Sequence, residues 1–133
     1  MSARPRSRSL TILVVDDHLE MLSGMADFLE GEGHSVRLAP DGKLAFFLLF
    51  VEKQGAAVDV VISDVRMPEI DGIDLYRIVQ ARRPELAERF IFVTGTSLET
   101  DDMDGLQGAT VPIVRKPFSL QTLSDAIRQI AER

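Results

Sequence analysis

The sequence predicts a doubly wound α/β protein: one parallel sheet with helices packed on both faces. Three observations carry this. Apolar runs of strand length alternate with helix-length segments five times along the chain. Three of those runs, residues 10–15, 58–63 and 89–94, are continuously apolar or nearly so, as strands buried on both faces require. No repeat or linker interrupts the 133 residues, a length that suits one domain.

Residues 1–8 read as a flexible basic tail, with Pro5 among alternating Ser and Arg. Residues 9–133 read as the folded domain. LTILVV (10–15) is the first buried strand. Met21, Leu22, Met25, Phe28 and Leu29 recur at helical spacing, and Gly31 and Gly33 stop that helix. SVRLA (35–39) alternates like a half-covered strand, and Pro40-Asp41-Gly42 is a turn. An apolar helix is expected from about 43 to 53, ending near Gly55. VDVVIS (58–63) is a strand, and residues 72–82 form a helix that Pro84 ends. RFIFVT (89–94) is the next strand. Glu99 to Leu106 is a weak acidic helix, cut by glycines. VPIV (111–114) is a short strand. Ser119 caps a last helix with Leu120, Leu123, Ile127 and Ile130 on one face.

Composition removes several functions. There is no Cys, so disulfide, iron–sulfur and thiolate-zinc chemistry are out. Net charge is −6, and three of the 15 bases lie in the first eight residues, so the folded part repels nucleic acid and anionic membrane. The longest apolar run, Leu44 to Val51, is far short of a membrane span. No signal-type leader is visible, and a cytoplasmic location is expected.

In an open parallel sheet, ligands bind outside the carboxyl ends of the strands. The first strand ends in Asp16-Asp17, the third in Asp64 and the fourth in Thr94; the fifth runs into Lys116-Pro117. Three carboxylates packed together would repel one another strongly. A hard divalent cation relieves this. Oxygen donors suit Mg²⁺, which keeps several waters. With the Lys116 ammonium and the Thr94 hydroxyl, the set forms a trap for a phosphoryl group.

These residues sit in motifs that resemble the receiver domain of two-component response regulators. The matches are VVDD (14–17), SDVRMPEIDG (63–72), VTG (93–95) and RKPF (115–118), including the separation from Thr94 to Lys116. The resemblance covers residues 9–131. It implies a (βα)5 flavodoxin-like sheet with strand order 2-1-3-4-5. It implies Asp64 as phosphoacceptor, with Mg²⁺ or Mn²⁺ held by Asp16, Asp17, Asp64 and the backbone carbonyl of Arg66. Thr94 would hydrogen-bond the phosphoryl group and Lys116 would neutralise one of its oxygens. The Lys116–Pro117 peptide would be cis. The side chains of Arg66 and Thr96 would govern the access of water, giving slow autodephosphorylation. The partners implied are a sensor histidine kinase or phosphotransfer protein and a downstream protein target. The chain would be no enzyme beyond its own phosphoryl transfer and dephosphorylation.

Two positions depart from that pattern. Ile113 stands where the family carries its switch aromatic, so no ring can rotate there; Phe118 is expected in the core. The segment with Glu99, Asp101, Asp102 and Asp104 has no base. Three other readings are weighed. An aspartyl phosphatase of the haloacid-dehalogenase type needs a second aspartate two residues after the nucleophile, where this chain has Arg66. A nucleotide-binding module needs a glycine cradle, absent from DDHLEM. A receiver-like scaffold with weak or no phosphorylation-driven switching is the alternative that Ile113 keeps open. With the last helix running to the C-terminus, the expectation is a stand-alone receiver or one excised from a longer protein.

Overall fold

The computed structural model describes residues 9–95 and 111–132. The basic tail, the acidic segment Glu99–Leu106 and Thr96 lie outside the described residues. Five strands form one parallel sheet: β1 (Thr11–Val15), β2 (Ser35–Ala39), β3 (Val60–Asp64), β4 (Phe90–Thr94) and β5 (Ile113–Arg115). Their order is β2-β1-β3-β4-β5, the order that the receiver-domain resemblance implies.

The central strands are buried on both faces, which is why they read as unbroken apolar runs. Residue parity sorts their side chains. Leu13, Val61, Phe90 and Phe92 point into one core; Ile12, Val14, Val60, Ile62, Ile91 and Val93 point into the other. Helices α1 (Leu19–Gly31) and α5 (Leu120–Ala131) cover the second face through Leu22, Met25, Leu29, Leu123, Ile127 and Ile130. Helices α2 (Gly42–Phe46), α3 (Gly72–Arg82) and α4 (Pro84–Ala87) cover the first. Tyr76 of α3 meets Phe90 edge-on, with ring centroids 5.2 Å apart. Edge strand β2 is exposed or half-buried from Ser35 to Leu38 and fully buried only at Ala39, so the expected alternation of a half-covered strand is not seen in its burial.

Several element boundaries differ from expectation, among them the strand expected over 111–114, which runs over Ile113–Arg115. The helix expected over 43–53 is α-helical only to Phe46, continues as a π-helix over Phe47–Val51, and is followed by a 3₁₀ segment, Lys53–Ala57. The Glu52 N–H donates to Phe47 O at 3.0 Å, the wider i→i+5 bond. The apolar run here is too broad for one α-helical stripe, and the wider turn lets the consecutive Leu48 and Leu49 both stay buried. Pro84 follows the end of α3 as expected, but it also opens α4, since a proline at the first helical position lacks only an N–H that would be unpaired anyway. The strand expected over 58–63 begins at Val60; just before it Asp59 pairs with Thr11, its N–H donating to Thr11 O at 2.8 Å and its carboxylate accepting from the Thr11 N–H at 2.9 Å.

Register then aligns the carboxyl ends. Val15 pairs with Ser63, Asp64 with Val93, and Thr94 with Arg115. The Lys116 N–H extends that ladder by donating to Thr94 O at 2.7 Å. The sheet order turns back between β1 and β3, which opens a crevice at those ends.

Candidate functional site

The crevice holds the residues the motifs singled out. Asp16 follows β1 directly and is fully buried; its N–H donates to Ala39 O at 3.1 Å. Asp17 is one residue further out, with 39% of its side chain exposed. Asp64 closes β3 and is 7% exposed; Thr94 closes β4 and is buried. Lys116 reaches in from the end of β5. Its Nζ donates to Asp16 Oδ2 at 3.1 Å and lies 3.6 Å from Asp64 Oδ2. One ammonium therefore bridges two buried carboxylates. The Lys116–Pro117 peptide is cis.

The local chain explains why Asp64 is presented this way. Ser63 Oγ donates to Asp64 O at 2.8 Å, and the Gly72 N–H donates to Val65 O at 2.9 Å, so the loop after β3 curls tightly back to α3. A side chain at Gly72 would collide with the Asp64 carbonyl, and one at Gly42 would collide with Ile70 of the same loop. Both glycines are there for close approach. Asp71 then caps α3 in a reciprocal capping box with Asp74. Lys43 and Glu69 pair across the outside of the loop at 2.9 Å.

Burial raises the Asp64 pKa above the usual carboxylate value, and the nearby charge of Asp16 raises it further. Lys116 and the backbone N–H groups of Arg66 and Val65 work in the opposite direction. The Arg66 N–H approaches Asp64 Oδ1 at 3.4 Å, and its side chain is exposed at the mouth.

Asp16, Asp17, His18 and Asp64 each offer a ligand atom, and these atoms lie within 4.8 Å of one another. The carboxylate set fits a hard divalent cation: its oxygens converge, and their mutual repulsion is what such an ion relieves. The sequence motifs end at the acid pair and do not single out His18. The only signal was adjacency in DDH. Its ring Nδ1 lies 3.2 Å from Asp16 Oδ1 and 3.5 Å from Asp17 Oδ1.

Ile113 and Phe118 lie on opposite faces of the sheet. Ile113 is half-buried against the core of α2 and α3, while Phe118 packs against the core of α1 and α5. Phe118 is thus a core-flanking residue and does not substitute for an aromatic at 113.

Known proteins resemble this chain in sequence and in fold. Residues 12–128 match the family model described as the response regulator receiver domain. The sequence is 34% identical over 127 residues to sensor kinase CckA of Brucella abortus, covering 96% of this chain and 13% of that protein. It is 31% identical over 124 residues to the transcriptional regulatory protein RprY of Bacteroides fragilis, covering 93% of this chain and 50% of that protein. The chain thus spans half or less of these relatives. A receiver domain protein of Clostridium thermocellum superposes with a TM-score of 0.78 at 29% identity, covering 93% of this chain and 95% of that one. The BeF3-activated receiver domain of DrrB superposes with a TM-score of 0.77 at 27% identity, covering 95% of this chain and all of that one. Among the described residues no helix is long and apolar enough to cross a membrane.

Proposed function

The chain belongs to the response regulator receiver domain family of two-component systems, and from that premise we propose that it is a phosphoacceptor switch in which Asp64 takes a phosphoryl group from a phosphohistidine. The observation that carries this is the position of Asp64. Asp64 is the last residue of central strand β3, is nearly buried, and has the Asp16 carboxylate and the Lys116 ammonium beside it.

In the proposed reaction an Asp64 carboxylate oxygen attacks phosphorus in line. The new O–P bond forms as the P–N bond breaks, and its electron pair returns to the donor imidazole. Lys116, 3.6 Å from Asp64 Oδ2, neutralises charge on the transferred group. The Thr94 hydroxyl donates to a phosphoryl oxygen from the end of the neighbouring strand. Asp16, Asp17, Asp64 and the Arg66 carbonyl are the proposed ligands of Mg²⁺ or Mn²⁺. When bound, that ion supplies positive charge that offsets the crowded carboxylates and phosphoryl oxygens. The exposed Arg66 side chain, long and cationic, is the proposed shield that lies across the phosphoryl oxygens and slows water, so the acyl phosphate persists as a signal. The chain catalyses nothing beyond its own phosphorylation and slow dephosphorylation.

The proposed donor is a sensor histidine kinase or a phosphotransfer protein, acting in the cytoplasm, and the phosphorylated form acts on a downstream protein. The test is incubation with acetyl phosphate and Mg²⁺ followed by intact-mass measurement. One phosphoryl adduct is expected, absent from Asp64→Asn and from the sample without metal. An adduct that maps to Asp16 or Asp17 overturns the assignment.

A further inference from the structure

His18 occupies the N-cap of α1, yet its side chain makes no capping hydrogen bond. The position is served by its backbone, whose N–H donates to Asp16 Oδ1 at 2.8 Å. The ring, 73% exposed, could extend into water, but it folds back over the acid pair. Its Nδ1 stands 3.2 Å from Asp16 Oδ1 and 3.5 Å from Asp17 Oδ1, and it belongs to the group of four side chains whose ligand atoms converge within 4.8 Å. On the far side, Asp16 Oδ2 is held by Lys116, which leaves the Oδ1 side facing the imidazole.

That placement changes the donor set. Carboxylates alone suit Mg²⁺, which dehydrates reluctantly and prefers oxygen. A neutral imidazole beside them makes a mixed nitrogen–oxygen site, and such sites favour later first-row ions over Mg²⁺. We propose that His18 supplies a ring-nitrogen ligand beside Asp16, Asp17 and Asp64, so that the site takes a borderline divalent ion such as Ni²⁺, Co²⁺ or Zn²⁺ in direct competition with Mg²⁺. The inference rests on the acid pair being the metal site of the proposed switch. It adds a regulatory input: the metal that the cell supplies, and not the phosphodonor alone, sets whether the site is loaded with the ion that Mg²⁺-dependent transfer needs.

Calorimetric titration of wild type, His18→Ala and Asp17→Ala with Ni²⁺ and with Mg²⁺ tests this. His18→Ala is expected to weaken Ni²⁺ at least ~10-fold, the loss typical of removing a metal-site partner. Its Mg²⁺ affinity is expected to change by less than about 2-fold, because Mg²⁺ retains water where the ring stood. A second readout is long-range ¹H–¹⁵N correlation of the imidazoles: Zn²⁺ should move the His18 ring nitrogens and leave those of His34 in place. Equal losses for both ions in His18→Ala, or no loss for either, overturn the proposal, as does a His18 ring that Zn²⁺ leaves unmoved. The parent reading fails separately. If wild type binds Ni²⁺ through His18 but does not bind Mg²⁺, the ligand assignment stands and the Mg²⁺-dependent switch falls. If Mg²⁺ binds and is lost in Asp17→Ala while Ni²⁺ ignores His18, the switch stands and this proposal falls.

Discussion

Lys116 Nζ donates to Asp16 Oδ2 at 3.1 Å, closer than its 3.6 Å approach to Asp64 Oδ2. The ammonium is thus anchored to the buried acid at the end of β1 while it faces the acceptor at the end of β3. Asp16 fixes where that positive charge sits, and Lys116 in turn makes the burial of Asp16 tolerable.

Removing the cation should therefore expose that dependence. Lys116→Met leaves two buried carboxylates without their ammonium, and a loss of roughly 3 kcal/mol in unfolding free energy at neutral pH is expected. The penalty should shrink in acid, where Asp64 becomes protonated and one of the two charges is gone. Urea denaturation at neutral and acidic pH measures both. A penalty that does not change with pH would count against the shared bridge.

Asp64→Asn should act in the opposite sense. The Asp64 pKa is raised by burial and by Asp16. A group raised in the folded state contributes stability that is complete below its unfolded pKa and is lost as pH rises through its folded pKa. The neutral amide escapes that loss. The variant should match wild type at acid pH and gain on it as pH climbs from the ordinary carboxylate range through the raised Asp64 pKa. Above that the difference levels off, at a melting temperature a few degrees higher. Thermal melts across pH without divalent ions provide the check; a difference that narrows with rising pH would show the wrong sign.

Two glycines should respond with opposite signs. Gly24 lies inside α1 with open space around it, so Gly24→Ala should stabilise by about 0.5–1 kcal/mol through helix propensity. Gly72 has no such room: an added methyl meets the Asp64 carbonyl and comes within 3.1 Å of Ser63 Oγ. Gly72→Ala should cost about 1–3 kcal/mol, and it should also slow labelling by acetyl phosphate, because backbone must move where Asp64 is presented. Chemical denaturation and the mass assay read the two effects; normal labelling in Gly72→Ala would separate the loop from the site.

Ile113 bears on output. It pairs in register with Phe92 and packs half-buried against the core, with no ring to reorient. Beryllofluoride, a phosphoryl mimic, should shift the amides of Asp64–Arg66 and Thr94 more than that of Ile113. Two-dimensional amide spectra decide it. Equal shifts at Ile113 would mean that β5 switches without an aromatic.

The sequence by itself determined the sheet, its parallel sense and the residues at its carboxyl ends. Three strands buried on both faces leave a mark that needs no tertiary information, since nearly every position in LTILVV or FIFVT must be apolar. The acids and the lysine were legible for the converse reason: charged residues placed immediately after such runs can only lie at the sheet edge. Tertiary structure decided what periodicity cannot carry. The segment Phe47–Val51 is a π-helix that seats two adjacent leucines in one core, an arrangement set by neighbours in space. Lys116 chooses Asp16 over Asp64 through register and side-chain reach across 100 residues of chain. His18 turns toward the acids, although its position in the sequence is equally suited to a solvated cap. A one-dimensional pattern reports how buried a residue must be. Which polar atoms meet at the edge depends on distances of a few ångströms between strands, and those exist only once the sheet has formed.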